Sequence, residues 1–221
     1  MNKTLIFPLA AMAVAMASCT CHHFDEPVEV PAPAMKAGHV LCTDGGVLPI
    51  CKFFDSDKEA VGIVFWVNPD VSAPIKGYAV YLHDIAPEAF SEELTVSQGT
   101  SCDVNGLDGN ENTYALYNNA NVSSPMADAV FDMWKYGQSA YVPSVRQARL
   151  LFEAKGAIND RIVYCGGEAI PDDADECWYW TSTEVDGQSE AKAWLVSLYS
   201  GVIQETPKTQ PHKVRPIITI Q

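Results

Sequence analysis

Val61–Val67 (VGIVFWV) and Gly77–Leu82 (GYAVYL) are runs of β-branched and aromatic residues, separated by the turn-rich segment NPDVSAPIK. Runs of this kind bounded by Pro, Asn, Asp and Gly read as strands, so a hairpin at the centre of a sheet is predicted. Asp103–Asn112 (DVNGLDGNEN) carries no apolar period and is expected as loop. Ser124-Pro125 then starts a helix with Pro at its first position, and Ala127, Val130, Phe131 and Trp134 give it an apolar face. A second helix starts at Ser144. Gln147, three residues on, completes capping-box spacing, and Val145, Ala148, Leu151, Phe152 and Ile158 form the buried stripe. Strands return at Trp178–Thr183, Ala193–Leu198 and Lys213–Ile220, divided by the turn signals Asp186-Gly187 and Ser200-Gly201. Strands, two helices and strands again predict an α+β domain with a largely antiparallel sheet.

The first residues follow a different pattern. Met1–Ser18 has Lys3 at its start and the uncharged apolar run Leu5–Met16, which is a signal-peptide pattern and too short for a permanent membrane helix. It ends in Met16-Ala17-Ser18-Cys19, small residues before a cysteine, and so resembles a lipoprotein signal whose cleavage makes Cys19 the acylated N-terminus. Several acyl chains on one residue anchor firmly, since each buried CH₂ contributes about 0.8 kcal/mol. Residues 19–37 form a Pro-rich stretch without periodicity, expected as an extended spacer, and residues 38–221 form the single folded domain. Cys21-His22-His23 on this tether offers no preorganised tetrahedral geometry for a metal.

Charge narrows the partners. The formal net charge of the chain is −14, and loss of Lys3 with the signal makes it one unit more negative. Nucleic acid and anionic lipid are bound through basic patches, so neither is expected as a partner, and membrane contact is expected through the lipid anchor only. Besides Cys19 there are six cysteines, Cys21, Cys42, Cys51, Cys102, Cys165 and Cys177, an even number that permits disulfides in an exported chain. Cys165–Cys177, bracketing GGEAIPDDADE, is the preferred pair and Cys42–Cys51 the next.

In order, the segments VGIVFWVNP, GYAVYLHD, LDGNENT, YVPSVRQARLLFEA, WYWTSTE, AKAWLVSLYSG and KVRPI resemble the bacterial C-type lectin-like domains at the C-termini of surface lipoproteins, collagen-like adhesins and the variable proteins of diversity-generating retroelements. The resemblance covers about Gly38 to Gln221. It implies a C-type lectin-like fold, with any ligand surface on the late strands and their loops.

That late segment concentrates aromatics and small hydroxyls, which suit a binding face. The candidate ligand-binding residues are Trp178, Tyr179, Thr181, Thr183, Glu184, Tyr199, Gln204 and Thr206, the last two in the polar loop QETPKTQ. Alternation along the strand assigns Trp180, and with it Trp194, to the core, and leaves Tyr179 facing out. Arg215 is expected to tie strand to loop. The acidic run Asp172–Glu176 is the one place where oxygen ligands for Ca²⁺ crowd together, but the Glu-Pro-Asn and Trp-Asn-Asp motifs of calcium-dependent lectins are missing, and a solvated loop is expected. No metal site, cofactor or catalytic residue is predicted. His39, His83 and His212 stand alone in sequence, and Glu184, offered as a general base, has no readable partner.

The main expectation is therefore a non-enzymatic binding or adhesion module for an extracellular protein, peptide or glycan, lipid-anchored in the bacterial envelope and surface-exposed on the outer membrane. Two alternatives are a structural part, anchor or tip of a surface assembly such as a fimbria, and a diversity-generating-retroelement target. The absence of asparagine from Trp178–Pro216 argues against the last.

Overall fold

The computed structural model describes residues 34–131, 133–135 and 138–221. The signal and Cys19 lie outside these residues, as does most of the spacer. Short β1 (Val40–Cys42) and β2 (Val47–Leu48) form an antiparallel pair and lead into the single-turn helix α1 (Ile50–Phe54). The predicted hairpin follows as β3 (Ala60–Val67) and β4 (Gly77–Tyr81), with Ile63 opposite Val80. Gly62 permits this approach, because a Cβ there would collide with the carbonyl oxygen of Val80. After β5 (Ile85–Ala89) come α2 (Gly109–Tyr117), α3 (Pro125–Phe131), the two-residue strands β6 (Trp134–Lys135) and β7 (Gln138–Ser139), and the long α4 (Val145–Tyr164). The chain ends in β8 (Trp178–Glu184), β9 (Lys192–Ser197), β10 (Ile203–Pro207), β11 (Pro211–Val214) and β12 (Ile217–Ile220).

Two five-stranded sheets result. The first, in the order β12-β4-β3-β1-β2, is antiparallel and has the predicted hairpin at its centre. The second, β10-β9-β8-β11-β5, is mixed, because β11 runs parallel to β8 at Lys213 opposite Tyr179. The fold is thus α+β, with four helices among the described residues where two were expected.

The additional helix nearest the late strands is α2, which occupies part of the segment read as loop. Its buried face consists of Gly109, Asn112, Thr113 and Leu116, so it has almost no apolar stripe to betray it. Polar contacts hold it instead. Thr113 Oγ1 donates to Gly109 O (2.7 Å) and accepts from the Val142 N–H (3.0 Å), and Asn112 Oδ1 accepts from the Ser101 N–H (2.8 Å). The other departures are local. Trp134 belongs to β6, beyond the end of α3, and the run Lys213–Ile220 is divided at Arg215-Pro216 between two sheets.

Ser144 caps α4 as its spacing predicts. Its Oγ accepts from the Gln147 N–H (3.3 Å), and Gln147 Oε1 accepts from the Ser144 N–H (2.9 Å). Val145, Ala148, Leu151 and Ile158 are buried along α4, each removing apolar surface at about 25 cal/mol per Å². They belong to a first core with Val40, Ile63, Tyr78, Val80, Tyr179, Val196 and Ile217. A second core, containing Leu116 of α2 and Met126, Ala127 and Val130 of α3, takes the alternate residues of the same strands: Leu41, Ala79, Trp180, Leu195 and Ile218. Both sheets are therefore covered on both faces.

Candidate functional site

β8 carries most of the predicted binding residues. Trp180 is fully buried in the second core, its ring edge-on to Phe90 at 5.6 Å and its Nε1–H donated to Glu88 O (3.0 Å). Tyr179, predicted to face out, is only 2 % exposed. It points into the first core, where its hydroxyl donates to Asp84 Oδ2 (2.9 Å). Alternation does set the two side chains on opposite faces, but each face has its own core. Burial, together with the Asp84 charge, pushes the Tyr179 phenol well above its usual range. Asp84 also pairs with Arg215 Nε (2.5 Å), and Arg215 donates to Tyr81 O and Glu168 O, the strand-to-loop tie expected of it.

The hydroxyl residues are buried as well. The register of β8 against β9 slips between Trp180 and Glu184, so Thr181–Thr183 lie in a bulge whose polar groups find partners elsewhere. Thr181 Oγ1 donates to Trp194 O (2.7 Å), the Ser182 N–H to Pro143 O (2.9 Å), and Thr183 Oγ1 accepts from the Val145 N–H at the start of α4 (3.2 Å). These groups stitch the sheet to the helix. Glu184, considered as a base or a ligand contact, is wholly inaccessible and paired with equally inaccessible Lys208. Its Oε1 also accepts from the Gln98 N–H (2.8 Å), and Lys208 reaches Val96 O (3.2 Å). Thr206, on β10, is buried as well. The predicted loop Gln204–Gln210 is in fact strand β10 followed by a turn that Lys208 pins inward.

Tyr179, Thr181, Thr183, Glu184 and Thr206 are accordingly interior residues. Trp178, Tyr199 and Gln204 reach the surface, but not as one patch. Tyr199 lies under Lys155 of α4, 5.8 Å from its ring, whereas Gln204 stands opposite Leu195 and so on the side of the second core. Trp194, assigned to the core, is partly buried against the first core.

The Cys165–Cys177 disulfide does not form: both are free thiols, as are Cys42, Cys51 and Cys102. Cys165 caps the C-terminus of α4, while the Cys177 thiol donates to Pro171 O (2.7 Å). The loop between them is fixed by other means. Asn159 exchanges two 2.8 Å hydrogen bonds with the backbone of Ile170, and Lys155 Nζ binds Pro171 O (3.2 Å) and Asp172 Oδ1 (2.8 Å). Asp173 Oδ1 accepts from the backbone N–H groups of Asp175 and Glu176. Two carboxylates of the acidic run are thereby used within the fold, and among the described residues no group of three or more His, Cys, Asp or Glu side chains converges on a metal position.

Sequence reading missed a concave surface at this end of β8. Trp178, Asp175, Glu176, Pro87, Pro211, His212 and Lys213 line a groove of about 430 Å³ between the acidic loop and the edge of the second sheet. The residues that build it come from three separate segments, around Pro87, Asp175–Trp178 and Pro211–Lys213, so no local pattern announces it. His212 sets its ring edge-on to Trp180 at 5.3 Å; its Nε2 is buried without a partner, and burial holds the imidazole below its usual pKa.

No family model and no curated protein sequence matches the chain. Among solved structures, a fimbrial protein from Bacteroides ovatus superposes with a TM-score of 0.60 at 18% identity. The match covers 83% of this chain and 48% of that one, so this chain spans about half the length of the fimbrial protein. At that identity the likeness is one of fold, which this chain shares with a domain-sized part of a fimbrial protein.

Proposed function

We propose that this protein is a non-enzymatic subunit of a cell-surface assembly of the fimbrial kind, built on a C-type lectin-like domain and held to the outer membrane through acylated Cys19. The fold shared with a fimbrial protein over most of this chain is the observation that carries the reading. Two features support it. The late-strand hydroxyls and aromatics serve packing and hydrogen bonding, which suits a scaffold subunit. No helix among the described residues is long and apolar enough to cross a membrane, so a lipid on Cys19 would supply the attachment. The test is purification from sheared surface material of cells producing the full chain. Stoichiometric recovery with other surface subunits, and a lipid mass on the N-terminal peptide that Cys19→Ala abolishes, are the expected results. Recovery as a lone monomer from detergent extracts, absent from the sheared fraction, overturns the assembly.

A second reading, a binding module for an extracellular protein, peptide or glycan, is favoured by the groove beside Trp178.

A further inference from the structure

The groove beside Trp178 has a definite polarity. On one wall, Asp175 and Glu176 are exposed, and among the described residues neither carboxylate meets a cation. Their positions are nevertheless fixed, since the backbone of both is bound to Asp173 and the loop is held at Ile170 and Pro171 by Asn159 and Lys155. The floor is the partly exposed Trp178 ring with His212, whose buried Nε2 has no partner. Pro87, on the edge strand, has no N–H to offer an added strand. Lys213 stands opposite Tyr179 in the β8–β11 register, so its side chain is directed to the other face of the sheet and away from Trp178 and His212.

We propose that this groove receives a cationic side chain, an arginine or lysine of a partner protein, with its charged group against the Asp175 and Glu176 carboxylates and its stem or guanidinium plane on the Trp178 ring. Carboxylates and an indole face both attract cations, and arginine can satisfy a carboxylate through two parallel hydrogen bonds while stacking on the aromatic. The acidic chain would draw a basic partner toward the groove over longer range. Burial holds the His212 imidazole below its usual pKa, so it adds no opposing charge near pH 7. The inference stands apart from the assembly reading, since any basic partner satisfies it.

The test is a titration of the mature chain, with Cys19→Ser to keep it lipid-free, using the tripeptide Arg-Gly-Arg blocked at both ends. The readout is the Trp178 indole N–H resonance at low and high salt. Asp175→Asn with Glu176→Gln is expected to weaken binding at least about fivefold, and salt to weaken it, as an ion pair in a partly exposed site requires. Asp55→Asn with Asp57→Asn removes the same charge from an exposed segment outside the groove and should change binding less than twofold. The proposal is overturned if the distal pair matters as much as the groove pair, or if the resonance moves with maltotriose, independently of salt, and not with the peptide. The charge variants alter exposed side chains, so an unchanged spectrum elsewhere shows that they remain folded.

Discussion

The two ends of β8 carry similar chemistry in opposite settings. At its start, Trp178 borders an open groove with two carboxylates free of cations; six residues on, Glu184 is sealed against Lys208 beneath the segment around Gln98, with no access to water. A carboxylate's setting decides its role. A solvated carboxylate beside an aromatic can exchange partners at little cost, whereas a fully desolvated one must keep its cation because separation would strand a charge in a medium of low polarizability. Burial depresses the Lys208 ammonium pKa while Glu184 opposes the shift, and both side chains of the sealed pair are out of reach of any ligand. The open end is where binding chemistry is available.

The sharpest way to break this contrast is Lys208→Met. It leaves Glu184 buried without a counter-charge and should cost about 3–5 kcal/mol, read as a fall in the urea midpoint, while adding Glu184→Leu should recover most of the loss. A cost below about 1 kcal/mol for the single change would mean that water reaches the pair after all.

Next to Trp178 on the strand, Tyr179→Phe removes a hydrogen bond to the Asp84 carboxylate and should cost about 1.5–3 kcal/mol in the same measurement. The same burial predicts a response to alkali. Tyr141 and Tyr179 have phenols raised above the ordinary value of 10, mainly by desolvation. A group whose folded pKa lies above its unfolded one contributes its full stability below the unfolded value and loses it as pH rises from there toward the folded value. Stability should therefore decline above pH 10, with phenolate absorbance and loss of near-ultraviolet dichroism appearing together. Phenolate signal from all tyrosines while the dichroism persists would refute the buried placement.

Ser144→Ala tests the capping box of α4 and should cost about 1 kcal/mol by thermal unfolding. Smallest of all, Trp178→Ala at the open end should change stability by about 1 kcal/mol or less, as for a partly exposed residue without a buried network. A loss as large as that for Lys208→Met would place Trp178 in the core and close the groove.

Legibility followed the range of the interactions involved. The β3–β4 hairpin, α3 and α4 were readable because β-branched runs, a Ser-Pro start and a capping box are local signals, and Gly187 and Gly201 take the positive φ values, 69° and 72°, that their turns demand. Helix α2 was not readable, since Asn112 and Thr113 replace the apolar stripe with hydrogen bonds to distant residues. The disulfide expectation failed for a related reason. Spacing made Cys165 and Cys177 compatible with a bridge, but Lys155 and Asn159 hold their loop by polar contacts, leaving both thiols free.

What the sequence by itself determined is the α+β class, the alternation that sends Trp180 to one core and the cap of α4, because each follows from local backbone preference or side-chain periodicity. Only the tertiary structure decided that the opposite face of β8 is also covered. Period 2 states that Tyr179 and Trp180 diverge, but not whether water or α4 lies beyond Tyr179. The same holds for the two charged ends. Glu184 finds Lys208 and Trp178 finds Pro87 and His212 through strand pairings distant in the chain, and that pairing, not residue type, separates a sealed ion pair from an open groove.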